Sequence, residues 1–226
     1  MELEQTSKRL PIYLVLDTSG SMAGAPIDAV NAGLQDFQRA LGDDMFALEV
    51  AYISIITFSS DATQVMPLTE AGAFTAPTLR AGGSTSLGKA LTLLDQSFDN
   101  EVKEKSEDHP GDWKPLVFLM TDGAPTDDWK ASLSTFKSRA SKKAANLVAI
   151  GCGPHANEDV LREVSSPSPF LLMKDMSPAA FRELFKWISQ SARVASKSAS
   201  VPAAQDSGNE QPVKLDKPPS VLEITL

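Results

Sequence analysis

Cysteine and histidine are scarce. The chain of 226 residues has one cysteine, Cys152, and two histidines, His109 and His155. A lone cysteine excludes an internal disulfide, and these residues together are too few for a Cys/His zinc site. Positive charge is in deficit: 21 Lys and Arg face 29 Asp and Glu, a net charge of −8. Polyphosphate and anionic lipid demand a basic footprint, so this balance argues against nucleic-acid and membrane-surface partners. Long apolar runs are missing as well. Runs in a strand-like context, such as residues 116–120 (LVFLM), fall far short of a bilayer span. The opening residues 1–6 (MELEQT) are acidic and lack the apolar segment of a secretory signal. The expectation is a soluble, cytoplasmic, acidic globular protein.

What is present is a regular alternation of short apolar runs and helical periods, with no repeat at solenoid spacing. Residues 10–16 (LPIYLVL) read as a strand ending at Asp17. Ile27, Val30, Leu34, Phe37 and Leu41 then recur at spacings of 3 and 4, one face of an amphipathic helix. Residues 50–58 (VAYISIITF) form the next strand, and 63–68 a plausible antiparallel partner after the turn at Ser59, Ser60 and Asp61. A glycine-rich stretch, 81–86 (AGGSTS), opens a helix carrying Leu87, Ala90, Leu91, Leu94 and Phe98. Strands over 116–121, 147–152 and 170–173 alternate with helices marked by Trp129, Leu133, Phe136 and Ala140, by residues 157–164, and by Phe181, Leu184, Phe185 and Ile188. This order implies an α/β fold: a doubly wound, mainly parallel six-stranded sheet with one antiparallel edge strand and helices on both faces. Residues 99–112 read as a charged, solvated connection. Residues 197–226 hold four prolines and no aromatic, so the chain divides into a domain over 8–195 and a flexible tail over 196–226. The terminal 221–226 (VLEITL) alternates and is able to add to a sheet edge, although a solvated end is the plainer expectation.

Open parallel sheets bind ligands at the carboxyl ends of their strands, where strand order reverses. Three segments fall there: Asp17, Ser19 and Ser21 after the first strand, the 82–86 stretch before the second helix, and Thr121-Asp122-Gly123 after the 116–120 strand. Each offers oxygen ligands on a loop. Asp17, Ser19 and Ser21 alternate, so their side chains can converge. Asp122 adds a second carboxylate, and Ser84 or Thr85 a hydroxyl; counting back from Ala90 and Leu91 favours Thr85. Two carboxylates and three hydroxyls suit a small hard cation, Mg²⁺ with Mn²⁺ or Ca²⁺ as alternatives, and leave it short of negative charge. One coordination position would stay electrophilic toward an acidic group from outside.

The set Asp17-x-Ser19-x-Ser21, Thr85, Asp122-Gly123 resembles the metal-ion-dependent adhesion site of von Willebrand factor A domains, and the resemblance spans roughly residues 8–195. The stretches 9–22 (RLPIYLVLDTSGSM) and 26–34 (PIDAVNAGL) are similar to the opening of the bacterial TerY-like branch. That resemblance implies a non-catalytic, Mg²⁺-dependent protein-binding module, a scaffold or regulator in a tellurium-resistance, stress or defence system. It implies a partner that offers Asp or Glu to the metal, such as a protein kinase or a PP2C-like phosphatase of the same system. Many relatives carry a C-terminal zinc ribbon; this chain lacks the cysteines for one.

Other chemistries fit less well. A Mg²⁺-dependent phosphoryl hydrolase is the alternative, but a general acid/base and a basic phosphate clamp are missing. A haloacid-dehalogenase-type acid two residues after Asp17 is replaced by Ser19. The 82–86 loop lacks the Walker lysine spacing. His155 reads as an exposed loop residue near the carboxyl edge, and Cys152 as a buried small hydrophobe. Trp113, Trp129 and Trp187 read as packing anchors, and Asp61, Asp127 and Asp128 as solvated loop acids.

Overall fold

A strand buried along its whole length belongs in the middle of a sheet, and β1 (Leu10–Asp17) is such a strand. Its alternation sends Leu10, Ile12, Leu14 and Leu16 to one face and Tyr13 and Val15 to the other. The computed structural model describes residues 8–107, 109–143, 146–165, 168–200 and 215–225. After β1 come a 3-10 turn (Gly20–Met22), α1 (Ala25–Gly42), α2 (Met45–Val50), β2 (Ala51–Phe58) and β3 (Ala62–Glu70). Then follow α3 (Leu87–Glu101), β4 (Leu116–Thr121), α4 (Trp129–Lys143), β5 (Asn146–Cys152), α5 (Glu158–Ser165), β6 (Phe170–Met173), α6 (Pro178–Ser200) and β7 (Leu222–Thr225).

The strands lie in the order β3-β2-β1-β4-β5-β6-β7. The five inner strands are mutually parallel, and β3 and β7 run antiparallel at the two edges. The expected α/β architecture is present, with a correction in count. The sheet has seven strands rather than six, because residues 222–225 pair with β6 in the register Met173↔Leu222 to Phe170↔Thr225. Leu222 is buried, Glu223 pairs with Lys174 at 2.7 Å, and the Trp187 indole N–H donates to the Asp216 carbonyl at 2.9 Å. The end of the expected tail is therefore placed against the domain; residues 201–214 lie outside the described residues.

Each face of the sheet has its own core. On one, Ile27, Val30, Leu34 and Phe37 of α1 and Phe181, Leu184, Phe185 and Trp187 of α6 cover the even-numbered side chains of β1. On the other, Leu87, Leu91, Leu94 and Phe98 of α3 and Leu133 and Phe136 of α4 cover Tyr13 and Val15. Two departures from the expected elements are local. Val50 ends α2, a short helix capped by the Asp44 carboxylate on Ala47 N–H (2.9 Å), instead of opening β2. The 99–112 connection is largely exposed, but its end is pinned: the buried Asp112 carboxylate pairs with Arg9 at 2.6 Å and accepts from Lys103 N–H at 2.7 Å.

Strand order reverses between β1 and β4. The chain leaves β1 for β2 on one side and later returns to place β4 on the other. The crevice outside their carboxyl ends is where such a sheet binds ligands, and Asp17 and Asp122 stand at those two ends.

Candidate metal centre

The site is assembled from three loops, and sheet register brings two of them together. Leu16 of β1 lies opposite Met120 of β4, so Asp17 and Thr121 stand side by side where the strands stop. The Thr121 hydroxyl donates to Asp17 Oδ2 at 2.6 Å, and Ser19 N–H donates to Asp17 Oδ1 at 2.8 Å. The chain then turns through the 3-10 segment, closed by Met22 N–H on the Ser19 carbonyl at 3.0 Å. That turn brings Ser19 Oγ and Ser21 Oγ to 3.1 Å, and the Ser21 hydroxyl donates to Asp122 Oδ1 at 2.8 Å. Asp17, Ser19, Ser21 and Asp122 thus form one hydrogen-bonded arc.

Thr85 reaches the same edge from a third loop and is not hydrogen-bonded to the other four. The two loops are zipped by their backbones: Gly20 N–H donates to the Gly83 carbonyl (2.9 Å), and Gly82 N–H to the Thr18 carbonyl (2.8 Å). Gly83 makes this possible at φ +85°, where a Cβ would lie 2.5 Å from Ser60 Oγ. Ser84 is exposed and turned away, with its hydroxyl 3.2 Å from Ser60 Oγ. Thr85 is buried, and its hydroxyl faces Gly123, 3.8 Å from where a Cβ on that glycine would stand.

Burial sets the electrostatics. Asp17 and Asp122 are 2% and 6% exposed. Loss of water lifts both carboxyls above their ordinary value; the hydrogen bonds from Ser19 and Thr121 oppose the rise at Asp17. At Asp122 the neighbouring Asp17 charge raises it further, against the hydrogen bond from Ser21. Among the described residues no lysine or arginine pairs with either. Two buried carboxylates without a lysine or arginine counter-charge, ringed by hydroxyls, fit a divalent hard cation. Ser21 is exposed, so the arc opens to solvent on that side.

Neighbouring groups have other tasks. Asp61 is exposed and pairs with Lys89 at 3.4 Å. Cys152 is fully buried beneath the carboxylates, and burial pushes its thiol up, away from reactivity. His155 is exposed and near enough that its charge lowers the Asp122 carboxyl. Asp127, expected to be solvated, is engaged instead. Its carboxylate accepts from Gly88 N–H and Lys89 N–H, both at 3.1 Å, at the start of α3. No sequence signal linked residues 39 positions apart.

The von Willebrand factor type A domain family model matches residues 12–186. A curated relative from Synechocystis sp. (strain ATCC 27184 / PCC 6803 / Kazusa), the protein sll0103, is 30% identical over 194 residues, covering 80% of this chain and 43% of its own. The chain thus spans under half the length of that relative. A solved von Willebrand factor type A structure from Catenulispora acidiphila superposes with a TM-score of 0.63 at 18% identity, covering 83% of this chain and 43% of that one. Proximal thread matrix protein 1 from the mussel byssus, solved with a zinc-occupied MIDAS motif, superposes with a TM-score of 0.58 at 18% identity, covering 81% and 48%. With the family model spanning both faces of the sheet and all three loops of the site, the chain belongs to the von Willebrand factor type A domain family.

Proposed function

We propose that this domain is a non-catalytic binding module that holds Mg²⁺ through Asp17, Ser19, Ser21, Thr85 and Asp122 and captures an acidic side chain of a protein partner. The observation that supports it most is the pair of buried, mutually repelling carboxylates with no lysine or arginine partner among the described residues. In this reading Asp17 and Asp122 supply the negative charge. The three hydroxyls hold the remaining contacts without neutralising the ion further. Thr121 and the Ser19 amide orient Asp17. The bound cation supplies positive charge toward the open, Ser21 side, where a carboxylate matches it better than a neutral amide.

Thr85, rather than Ser84, is the hydroxyl ligand in this reading, because Ser84 is turned to Ser60. Mg²⁺ is preferred over Ca²⁺ because five protein oxygens and one outside ligand make an octahedral set, whereas Ca²⁺ commonly takes more ligands; Mn²⁺ is the alternative. The zinc in the mussel protein's motif makes Zn²⁺ a necessary comparison. The 9–22 and 26–34 stretches support placement in the TerY-like branch, in the cytoplasm. The partner would then be a kinase or PP2C-like phosphatase of the same system, and the domain its scaffold or regulator.

The test is complex formation with such a kinase or phosphatase, measured in Mg²⁺, in EDTA, and with Ser19→Ala/Ser21→Ala protein. The reading expects binding only in the first. Equal affinity in all three would place the partner surface elsewhere on the domain. Turnover of ATP or a phosphomonoester, abolished by Asp17→Ala, would instead establish a phosphoryl hydrolase.

A further inference from the structure

We infer that Asp127 is a positioning residue for the cation site, locking the loop that carries Thr85 to the loop that carries Asp122; the inference rests on the metal reading above. Asp17 and Asp122 are placed by paired parallel strands. Thr85 has no such support. It lies near the end of an irregular stretch, residues 74–86, just before α3. Its position comes from loop contacts alone.

Those contacts are specific. Thr126 N–H donates to the Thr85 carbonyl at 2.8 Å, and Thr85 N–H donates to Thr126 Oγ1 at 3.2 Å. The two threonines therefore hold one another by a reciprocal pair of bonds. One residue later, the Asp127 carboxylate spans the first turn of α3, one oxygen on Gly88 N–H and the other on Lys89 N–H, each at 3.1 Å. The helix's own N-cap residue, Ser86, makes no side-chain cap; its hydroxyl donates to the Ser60 carbonyl at 3.2 Å. Two of the orphan amides of α3 are thus satisfied from the β4–α4 loop, by a charged acceptor at the positive end of the helix. Groups behind the ligands typically change metal affinity without touching the ion. Here the cap fixes both loops at once.

The experiment is calorimetric titration of the metal-free full chain with Mn²⁺, paired with thermal denaturation in EDTA. Two controls accompany Asp127→Ala. Asp61→Asn removes an exposed carboxylate beside the same loops, which tests for bulk charge. Asp44→Ala removes the cap of α2, at the opposite end of the parallel strands, which tests for lost stability. The latch predicts that Asp127→Ala weakens Mn²⁺ binding about tenfold. Asp61→Asn and Asp44→Ala should keep the parent's affinity, although Asp44→Ala melts lower. Asp127→Asn, which retains one acceptor oxygen, should fall between the parent and Asp127→Ala, and it carries the comparison where the alanine variant does not fold. Parental affinity in the Asp127 variants, beside a parent that binds, overturns the latch and leaves the metal site standing. A parent with no saturable Mn²⁺ binding overturns both.

Discussion

Asp122 carries the clearest electrostatic burden in the molecule. Its charge is buried beside that of Asp17, and the hydrogen bond from Ser21 is the largest of the contacts that offset it. Asp122→Asn keeps an acceptor for Ser21 and removes the repulsion. In EDTA the variant should melt a few degrees above the parent, yet saturating Mg²⁺ should raise the parent's melting temperature and leave the variant's unchanged. Thermal denaturation with and without metal reads both. The neighbouring hydroxyls separate as sharply. Thr85→Ala should weaken metal binding about tenfold, Thr85→Ser should restore it, and Ser84→Ala should do nothing, since the Ser84 hydroxyl turns to Ser60. The places of Asp17 and Asp122 were readable because strand ends announce themselves: an apolar run stops at a residue with a hard oxygen. Asp127 and Thr126 were not readable. Their partners, Gly88, Lys89 and Thr85, lie some 40 residues away, and only the packing of one loop on another makes them neighbours.

Elements with a clear apolar run or period were legible, down to the four residues of β6, while α2 and β7 were not. α1 shows its buried stripe of Ile27, Val30, Leu34, Phe37 and Leu41 in the bare sequence. α2 has six residues, too few for a helical period, and its last residue Val50 reads equally well as strand. β7 has four residues after a proline pair, and its worth depends on β6 and Trp187 rather than on itself. Its contribution is measurable. Leu222→Ala should cost about 2 kcal/mol in chemical denaturation and make residues 215–225 susceptible to limited proteolysis. Unchanged stability together with uniform resistance would contradict the docking. The contact of α1 with α6 is tighter still. A Cβ on Gly33 would fall 2.1 Å from Phe185 Cδ2, inside a packed core. Gly33→Ala should therefore cost about 2 kcal/mol in spite of its better helix propensity, with metal affinity preserved, because the clash is remote from the loops.

At the scale of the whole molecule, one sheet does two jobs. Its faces bury two separate cores, and its carboxyl edge, at the reversal between β1 and β4, gathers polar side chains that neither core could hold. A net charge of −8 looks unfavourable for an acidic partner. Screening over about 8 Å at physiological salt, however, makes the local ion outweigh distant charge. Specificity then falls to the shape of the surrounding loops, since a single ion pair discriminates little. All of this depends on a cation at the three loops. Calorimetric titration of the metal-free chain with Mg²⁺, against an Asp17→Ala/Asp122→Ala double variant, tests it most directly. The account predicts saturable heat at one site in the parent and none in the double variant; equal heats in the two proteins would contradict it.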